Sequence, residues 1–346
     1  MNSISIEEST FPAAKSEILG LLNQGDRQFD AKFMKWRYED RPKGYLVMCI
    51  AQTSEGKIVG CRAMFPFVFR VGGHVETFGI QADLFVNKEF REFGLGGRLV
   101  KFCIEKTMAK GVETIIGMPN QVSTKIQKKD VLRELGVVQG YRRYFDFGYR
   151  LSKKVSNVDL LNLLTKISAI PLGFLCPEER INWSKEFRLV HENSIGQEFD
   201  TLWDEVSKNV DIIGNRSSDY LRWRYLNHPY KHYEILKLVK GTEMVGYAIC
   251  QRKDGARFVV DDILSKPSSQ IRDSLIAQML IFIKHTGASE VEVGVSEKNV
   301  FINHLKKFKF KPCADKWPFL VYSKPKRPES FYDIARWHIT FGDKDM

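Results

Sequence analysis

The sequence predicts an α+β fold made of two similar domains in tandem, each a central mixed β-sheet flanked by helices. Three observations support this prediction. A short apolar strand runs into a glycine-rich turn that opens a helix, all within residues 83–100. Around this segment, several strands are followed by a helix, a strand, a helix and a strand. A Trp-Arg-Tyr motif then recurs in the second half of the chain, ahead of the same order of elements.

The first half is expected to begin with one short helix and three strands. Paired glycines accept the positive φ of a tight hairpin, so Gly72-Gly73 predicts a hairpin turn. The predicted segments are the helix Ala13–Leu22 and the strands Tyr45–Gln52, Ile58–Val71 and His74–Phe85.

The glycine turn leads into a helix, because apolar residues recur at helical spacing from Arg98 and Gly111 supplies a stop. A strand over Glu113–Met118 follows, and Pro119-Asn120 ends it. The next helix is predicted over Ser123–Leu135, and the last strand of this half over Tyr141–Leu151.

An internal repeat relates the two halves. Trp36-Arg37-Tyr38 recurs as Trp223-Arg224-Tyr225, 187 positions later (223 − 36), and a proline follows four residues after each tyrosine. Two copies of one order of elements imply a duplicated domain. The second copy is expected to contain the strands Phe258–Leu264, Glu290–Val295 and Phe319–Tyr322 and the helices Ile271–His285 and Val300–Phe308.

The second copy lacks the glycine turn. At the corresponding place it reads Ser265-Lys266-Pro267-Ser268-Ser269-Gln270, which contains no glycine, and Pro267 has no N–H to donate. We therefore expect the second domain to be degenerate and to pack on the first.

These patterns give domain bounds of 1–151, a linker over 152–185, a second domain over 186–324 and a tail over 325–346. In the linker, 158–167 has the pattern of an amphipathic helix. We interpret it as a packing helix between the domains, with docking to a membrane surface as the alternative. Trp337 indicates that the tail docks on the rest of the protein.

The glycine turn has a physical use in binding anions. Without Cβ atoms, its backbone N–H groups can approach a bulky anion closely, and the helix that follows adds unpaired N–H groups and a positive dipole end. Together these favour a phosphate or pyrophosphate, with Arg91 at the rim. The turn lacks both the Gly-Lys-Ser/Thr ending of a nucleotide triphosphate loop and the full Gly-x-Gly-x-x-Gly of a dinucleotide fold.

The segment Arg91-x-x-Gly94-x-Gly96 resembles the acyl-CoA loop of the GNAT (Gcn5-related N-acetyltransferase) superfamily, whose pattern is Arg/Gln-x-x-Gly-x-Gly/Ala. The resemblance implies a tandem-GNAT protein whose first domain binds acetyl-CoA. The implied donor-binding residues lie in the turn, in the strand before it and after the next strand: Leu84, Phe85, Val86, Arg91, Glu92, Phe93, Gly94, Leu95, Gly96, Gly97 and Asn120.

Acetyl transfer to an amine also needs a base that removes a proton from the acceptor. Asp83 opens the short strand into the turn and is the first candidate, with Glu76 and His74 as alternatives upstream. Leu132 stands where the family often has a tyrosine acid. The Trp-Arg-Tyr motif is interpreted as core, because it recurs in the copy that lacks the turn.

The composition of the chain limits the kinds of partner, metal and cellular location that we expect. The formal net charge is +11, but the basic residues are spread along the chain, so no specific nucleic acid is expected. The 6 cysteines and 7 histidines show no metal-ligand spacing, so no metal is expected. The start of the chain has no signal-peptide pattern, and no apolar run reaches spanning length, so we expect a cytoplasmic protein without a transmembrane segment.

The expected function is transfer of acetyl from acetyl-CoA to the amine of a small molecule or amino sugar. One alternative is an aminoacyl transferase of the FemAB type, which would use aminoacyl-tRNA. Another is a CoA-binding sensor or scaffold without catalysis. The sequence does not indicate the acceptor or the oligomeric state.

Overall fold

The computed structural model describes residues 4–25, 29–130, 132–146, 177–180, 186–324 and 326–344. The amphipathic helix predicted over 158–167 and the end of the strand predicted over Tyr141–Leu151 lie outside these residues.

The first half contains the predicted glycine turn between a strand and a helix. A 3-10 turn, Lys88–Phe93, precedes that helix, and a π-helical turn, Lys35–Glu39, extends the second helix. The elements are β1 (Ile4–Ser9), α1 (Phe11–Leu22), α2 (Ala31–Met34), β2 (Val47–Thr53), β3 (Ile58–Val71), β4 (His74–Val86), α3 (Leu95–Ala109), β5 (Thr114–Gly117), α4 (Gln121–Asp130) and β6 (Arg133–Tyr144).

The second half repeats this order, again with a π-helical turn, Arg222–Leu226. The elements are α5 (Pro177–Arg180), β7 (Phe187–His191), α6 (Gln197–Val206), β8 (Ile212–Gly214), α7 (Ser218–Leu221), β9 (Glu234–Lys240), β10 (Glu243–Asp254), β11 (Arg257–Ser265), α8 (Ser269–His285), β12 (Glu290–Ser296), α9 (Ile302–Lys307), β13 (Lys311–Ser323) and β14 (Trp337–His338). Three 3-10 turns, Glu329–Tyr332, Ile334–Arg336 and Phe341–Asp343, lie in the tail. The strands and helices predicted for the second copy are present as β11, α8, β12, α9 and β13.

The described strands join into one 14-stranded sheet, in which the two halves exchange a strand. The main path of the sheet is β1-β2-β3-β4-β5-β13-β6-β12-β11-β10-β9-β7. The neighbour of β5 is therefore β13 from the second half, with Leu320 opposite Gly117. Reciprocally, β6 of the first half pairs with β12, with Tyr144 opposite Glu290. The mixed sheet flanked by helices confirms the predicted fold class, and the exchange makes the sheet continuous across both halves.

Two features of the first half differ from the prediction. Helix α4 ends at Asp130 and β6 begins at Arg133, whereas a helix was predicted through Leu135 and a strand only from Tyr141. Since β6 is paired on both edges, by β12 and β13, long-range pairing overrides the local helical pattern there. Strand β1 was not predicted. It pairs with β2 at the end of the sheet, where charged residues such as Glu7 and Glu8 are typical of an edge.

The repeated motif lies where the halves meet. The indole N–H of Trp36 donates to the carbonyl of Trp223, and the indole N–H of Trp223 donates to the carbonyl of Trp36, both at 2.9 Å. The two rings stack with centroids 4.9 Å apart, and each residue is 3% exposed. The interpretation of this motif as core is confirmed.

The tail docks as expected. Trp337 is buried against Phe69, Phe78 and Phe331, and its indole N–H donates to the carbonyl of Phe331 at 2.8 Å. Among the described helices, none combines the length and the apolar character needed to cross a membrane.

Candidate active site

Strands β4 and β5 separate at one end and leave a cavity between them. They pair in parallel only at Gly79–Ile115 and Ile80–Ile116. Beyond that point β4 continues to Val86, whereas β5 ends at Gly117. A cavity of about 720 Å³ opens there, lined by the end of β4, the glycine turn and the residues that follow β5.

The glycine turn lies at one end of this cavity. Gly94 caps α3 with a φ of +65°, which glycine adopts without strain, and no side chain caps the helix. The first N–H groups of α3 are therefore available to an anion. Gly96 and Lys88 line the cavity beside them.

Arg91 also lines the cavity, although part of its guanidinium has a structural partner. Its Nε donates to the carbonyl of Val86 at 2.9 Å, and the group lies over the ring of Phe85. This contact ties the turn to the end of β4. The remaining guanidinium nitrogens of Arg91 can reach a phosphate.

The predicted donor-binding residues fall into two groups. Those that line the cavity are Leu84, Phe85, Val86, Arg91, Gly96 and Asn120. The others build the turn: Glu92 is exposed, Phe93 ends the 3-10 turn, Gly94 caps α3, Leu95 is buried in the core, and Gly97 belongs to the first turn of α3. Asn120 has a local function as well, since its Oδ1 accepts the N–H of Ser123 at the start of α4 at 2.9 Å.

Asp83 lies at a bulge beside the cavity. Cys61 of β3 pairs with Phe85 and Ala63 pairs with Ala82, so the single residue Arg62 faces both Asp83 and Leu84. The φ of Asp83 is +49°, an uncommon value for a residue with a side chain. The bulge takes backbone groups of β4 out of the ladder beside the cavity, where the carbonyl of Asp83 accepts the thiol of Cys61 at 3.6 Å.

The carboxylate of Asp83 is already bonded to two buried side chains. It accepts Nε of Arg37 at 2.9 Å and Nη2 of Arg37 at 3.0 Å, and it also accepts the hydroxyl of Tyr38. Its side chain is 9% exposed and that of Arg37 is 2% exposed. Burial, the largest effect, raises the pKa of Tyr38 well above its usual value, so the hydroxyl stays a donor. These contacts hold the bulge.

Glu76 and His74 lie far from the bulge. They stand at the other end of β4, where Glu76 is paired with Arg327, with Oε1 and Nη1 3.1 Å apart. Seven residues of strand separate Glu76 from Asp83, which is about 23 Å. His74 is exposed at the hairpin. The structure does not bring these two residues to the cavity.

The comparisons with known proteins agree with this geometry. Residues 11–126 match the family described as Acetyltransferase (GNAT) family. These residues contain the glycine turn, the separated strands and the bulge. Over residues 11–126 the chain is similar to the GNAT family.

Solved structures share the fold of the whole chain. The GCN5-related N-acetyltransferases from Anabaena variabilis and Kribbella flavida superpose with TM-scores of 0.66 and 0.61, at 12% and 11% identity. Each alignment covers 92% of this chain, and 72% and 71% of the respective structures. Saccharomyces cerevisiae N-myristoyltransferase with bound myristoyl-CoA gives 0.58 at 12% identity, over 95% of this chain and 80% of that one. No curated protein matches the sequence.

Several residues that line the cavity were missed by the sequence analysis, among them Lys88, Gln81 and Arg62. Arg62 lines the closed end of the cavity and is 0% exposed. Its signal in the sequence is a single charge within the apolar run Ile58–Phe69, which was interpreted only as a strand. Its partners are considered below.

A second cavity, of about 560 Å³, adjoins the first. Phe29 and Lys344 line both. Its walls combine aromatic rings, among them Phe33 and Trp317, with polar residues of the second half such as His228 and Asp261. Two substrates could therefore meet where the cavities join.

His228 presents a hydrogen-bond donor to this second cavity. Its Nδ1 accepts the N–H groups of Tyr230 and Lys231, at 3.2 and 3.1 Å, so Nε2 carries the proton. Burial, the largest effect, lowers the pKa of His228 to about 3, so the ring is neutral. Nε2 is buried and has no partner within the described part of the chain.

One group of possible metal ligands also borders the second cavity. Within the described residues, ligand atoms of Glu292, Cys313 and Asp315 lie within 4.8 Å of one another. Nη2 of Arg142 lies 2.7 Å from an oxygen of each carboxylate, and Arg257 contacts both as well. Two guanidinium groups thus already neutralise these carboxylates.

Proposed function

We propose that this protein transfers a short acyl group, acetyl in the first instance, from its CoA thioester to the amine of a small molecule or amino sugar. The observation that carries the proposal is a single cavity, lined both by the glycine turn of α3 and by the free end of β4. An anion site at one end of an extended groove suits a donor with a pyrophosphate and a long arm.

The residues present fit such a donor. The N–H groups at the start of α3, with Lys88 and Arg91, would hold the phosphates. The backbone of Leu84, Phe85 and Val86 would face the arm. Backbone groups released at the bulge would polarise the thioester carbonyl, which assists attack by the amine.

The second cavity supports the acceptor part of the proposal. It shares the lining residues Phe29 and Lys344 with the donor cavity. Aromatic walls with a few polar groups are typical of small-molecule sites, and aromatic rings also pack against sugar faces. An amine that enters here would reach the donor from the side of the second half.

The base remains a hypothesis. Asp83 lies at the bulge, as predicted for a base, but Arg37 and Tyr38 occupy its oxygens. Its contacts favour a positioning role. The second half supports this interpretation, because Asp261 occupies the corresponding bulge of β11, in the half that lacks the glycine turn. In that case another group near the bound acceptor, or a water molecule, would remove the proton from the amine.

Calorimetry with acetyl-CoA tests the donor site. The wild type should bind in the micromolar range, and Gly94→Glu/Gly96→Glu should lose binding because carboxylates then occupy the anion site. Gly241→Glu is a matched control, since Gly241 also has a positive φ (+61°) and no atom within 4 Å of an added Cβ. Loss of binding in the control as well would contradict the placement.

An acceptor screen tests the reaction. Amino sugars and small amines are incubated with the thioester, and the release of the CoA thiol is followed. Release that requires an acceptor supports transfer. Binding of acetyl-CoA without release for any amine would instead support the CoA-binding sensor, and no binding at all would redirect work to aminoacyl-tRNA.

A further inference from the structure

Arg62 is a buried cation without a counter-ion. It is 0% exposed, and its described bond is to Oε1 of Gln81. Its Nε and Nη1 are buried and have no nitrogen or oxygen partner in the described part of the chain, and the thiol of Cys103 lies beside the guanidinium. Within the same residues, no carboxylate lies within ion-pair distance of it.

Three other buried arginines of this chain have carboxylate partners. Arg37 pairs with Asp83, Arg143 pairs with Glu178 at 2.6 Å, and Arg216 pairs with Asp343 at 2.6 Å. An unpaired charge in the interior costs several kcal/mol, so such a group is usually paired. Among the described residues Arg62 has no carboxylate partner, and it lies in the wall of a cavity.

Its neighbours are also incompletely bonded. Nε2 of Gln81 and Oε1 of Gln127 are buried without a partner, and the two residues are 7% and 4% exposed. Both line the same end of the cavity. A Cβ at Gly117 would lie only 3.0 Å from Nε2 of Gln81, so this glycine lets the amide pack against the end of β5. Arg62 and Gln81 thus both line this part of the cavity, and both contain buried N–H groups that lack an oxygen acceptor within the described residues.

This space lies where the acyl end of a donor would be. The phosphate site is at the start of α3, next to Val86, and the groove runs back along β4 to the closed end at Gln81. Five residues of strand, about 16 Å, separate Gln81 from Val86. Arg62 stands opposite the bulge, at the place proposed for the thioester.

Burial acts on the charge of Arg62 in the expected direction. Burial is the largest effect and lowers the pKa of the guanidinium. The thiols of Cys103 and Cys49 raise this pKa by a smaller amount. A bound carboxylate would offset the cost of burial. A neutral acyl chain would leave both guanidinium nitrogens unpaired.

We propose that the acyl group ends in a carboxylate, as in succinyl-CoA or glutaryl-CoA, and that Arg62 and Gln81 bind this carboxylate. The inference rests on the proposed N-acyltransfer and names an acyl group that ends in a carboxylate, in place of acetyl, as the preferred donor. In the reaction, the amine nitrogen forms a bond to the thioester carbon and the carbon–sulfur bond breaks. CoA leaves as the thiol with the proton from the amine, and the distal carboxylate is unchanged.

Calorimetry with matched thioesters tests it. Butyryl-CoA and succinyl-CoA both carry four-carbon acyl groups, and only the second has the carboxylate. Wild type should bind succinyl-CoA at least tenfold more tightly, since charge-assisted hydrogen bonds in a buried site are strong. In Arg62→Met the ratio should fall to about one.

Two controls separate this role from others. Arg91→Met, at the phosphate end, should weaken the binding of both thioesters and keep the ratio of their affinities. Without ligand, Arg62→Met should melt at or above the wild-type temperature, because an apolar side chain replaces an unpaired buried charge.

Several outcomes would overturn the inference. Equal affinity of wild type for the two thioesters would do so, and so would a preference that survives in Arg62→Met. If the thioesters bind alike and Arg62→Met instead raises the KM of the acceptor, the carboxylate belongs to the acceptor. If CoA thioesters and CoA itself do not bind to wild type, the proposed function fails, and this inference fails with it.

Discussion

Replacing Asp83 by asparagine separates a positioning role from a catalytic one. Asparagine has nearly the same shape and tolerates the φ of +49°, so the substitution removes mainly the charge. Arg37, which is 2% exposed, then keeps its buried charge but loses the carboxylate of Asp83. Breaking a buried pair in this way costs about 3–5 kcal/mol.

The measurement is urea unfolding of Asp83→Asn beside acetyl-CoA titration. We expect the loss of stability just given and weaker binding of the donor, because the bulge that faces the thioester relaxes. The double variant Arg37→Gln/Asp83→Asn is the control. It removes both charges and should recover at least half of the lost stability.

A different result would refute this reasoning. If Asp83→Asn unfolds like the wild type and binds acetyl-CoA equally well but loses turnover, Asp83 is the base. A flattened pH–rate profile would accompany that result, since the ionising group would have been removed.

Three further predictions concern other residues. Burial, the largest effect, lowers the pKa of His338 to about 4, so the unfolded chain takes up this proton at higher pH than the folded one. Stability should therefore fall as the pH drops from about 6.5 to 4, by up to about 1.4 kcal/mol per pH unit for this group. The urea midpoint of His338→Gln should then depend less on pH than that of the exposed control His285→Gln. Glu76→Gln breaks a partly exposed ion pair with Arg327. It should change donor affinity and turnover by less than about twofold, since such pairs contribute about 0–1 kcal/mol. A tenfold loss of turnover would instead indicate that Glu76 is a catalytic residue. Trp36→Phe and Trp223→Phe should each cost about 1–3 kcal/mol in unfolding free energy, because each leaves a buried carbonyl without its donor. A double-mutant cycle should show coupling above about 0.5 kcal/mol, and strict additivity would contradict the reciprocal contact.

Local patterns predicted much of the fold and the phosphate end of the site. The glycine turn, the helix after it and the strand before it are set by spacing and by backbone freedom, which are visible over a few residues. The repeat was visible because tryptophan is rare and its neighbours recur with it. The cavity-lining residues Val86, Arg91, Gly96 and Asn120 were named through the resemblance of this turn to the GNAT acyl-CoA loop.

The remaining site residues depend on contacts that spacing does not reveal. Asp83 was named from its place before the turn, but its partner Arg37 is 46 positions earlier in the chain. Glu76 was named from the same strand, although seven residues of strand separate it from Asp83. Arg62 was overlooked, because a charge in an apolar run becomes informative only when its surroundings are seen to lack a carboxylate.

The exchanged strands explain how a half without a glycine turn can still matter to the site. The edge of β5 that faces away from β4 is covered by β13, with Val321 opposite Ile116 and Leu320 opposite Gly117. Without the second half, this edge would be exposed beside the donor cavity, and exposed edges invite misplaced pairing. Reciprocally, β6 completes the sheet at β12, so neither half closes its own sheet. The second half also supplies His228 and Asp261 to the adjoining cavity. A half that has lost the phosphate site can therefore remain necessary, because it holds the donor strands in place and forms a wall of the space proposed for the acceptor.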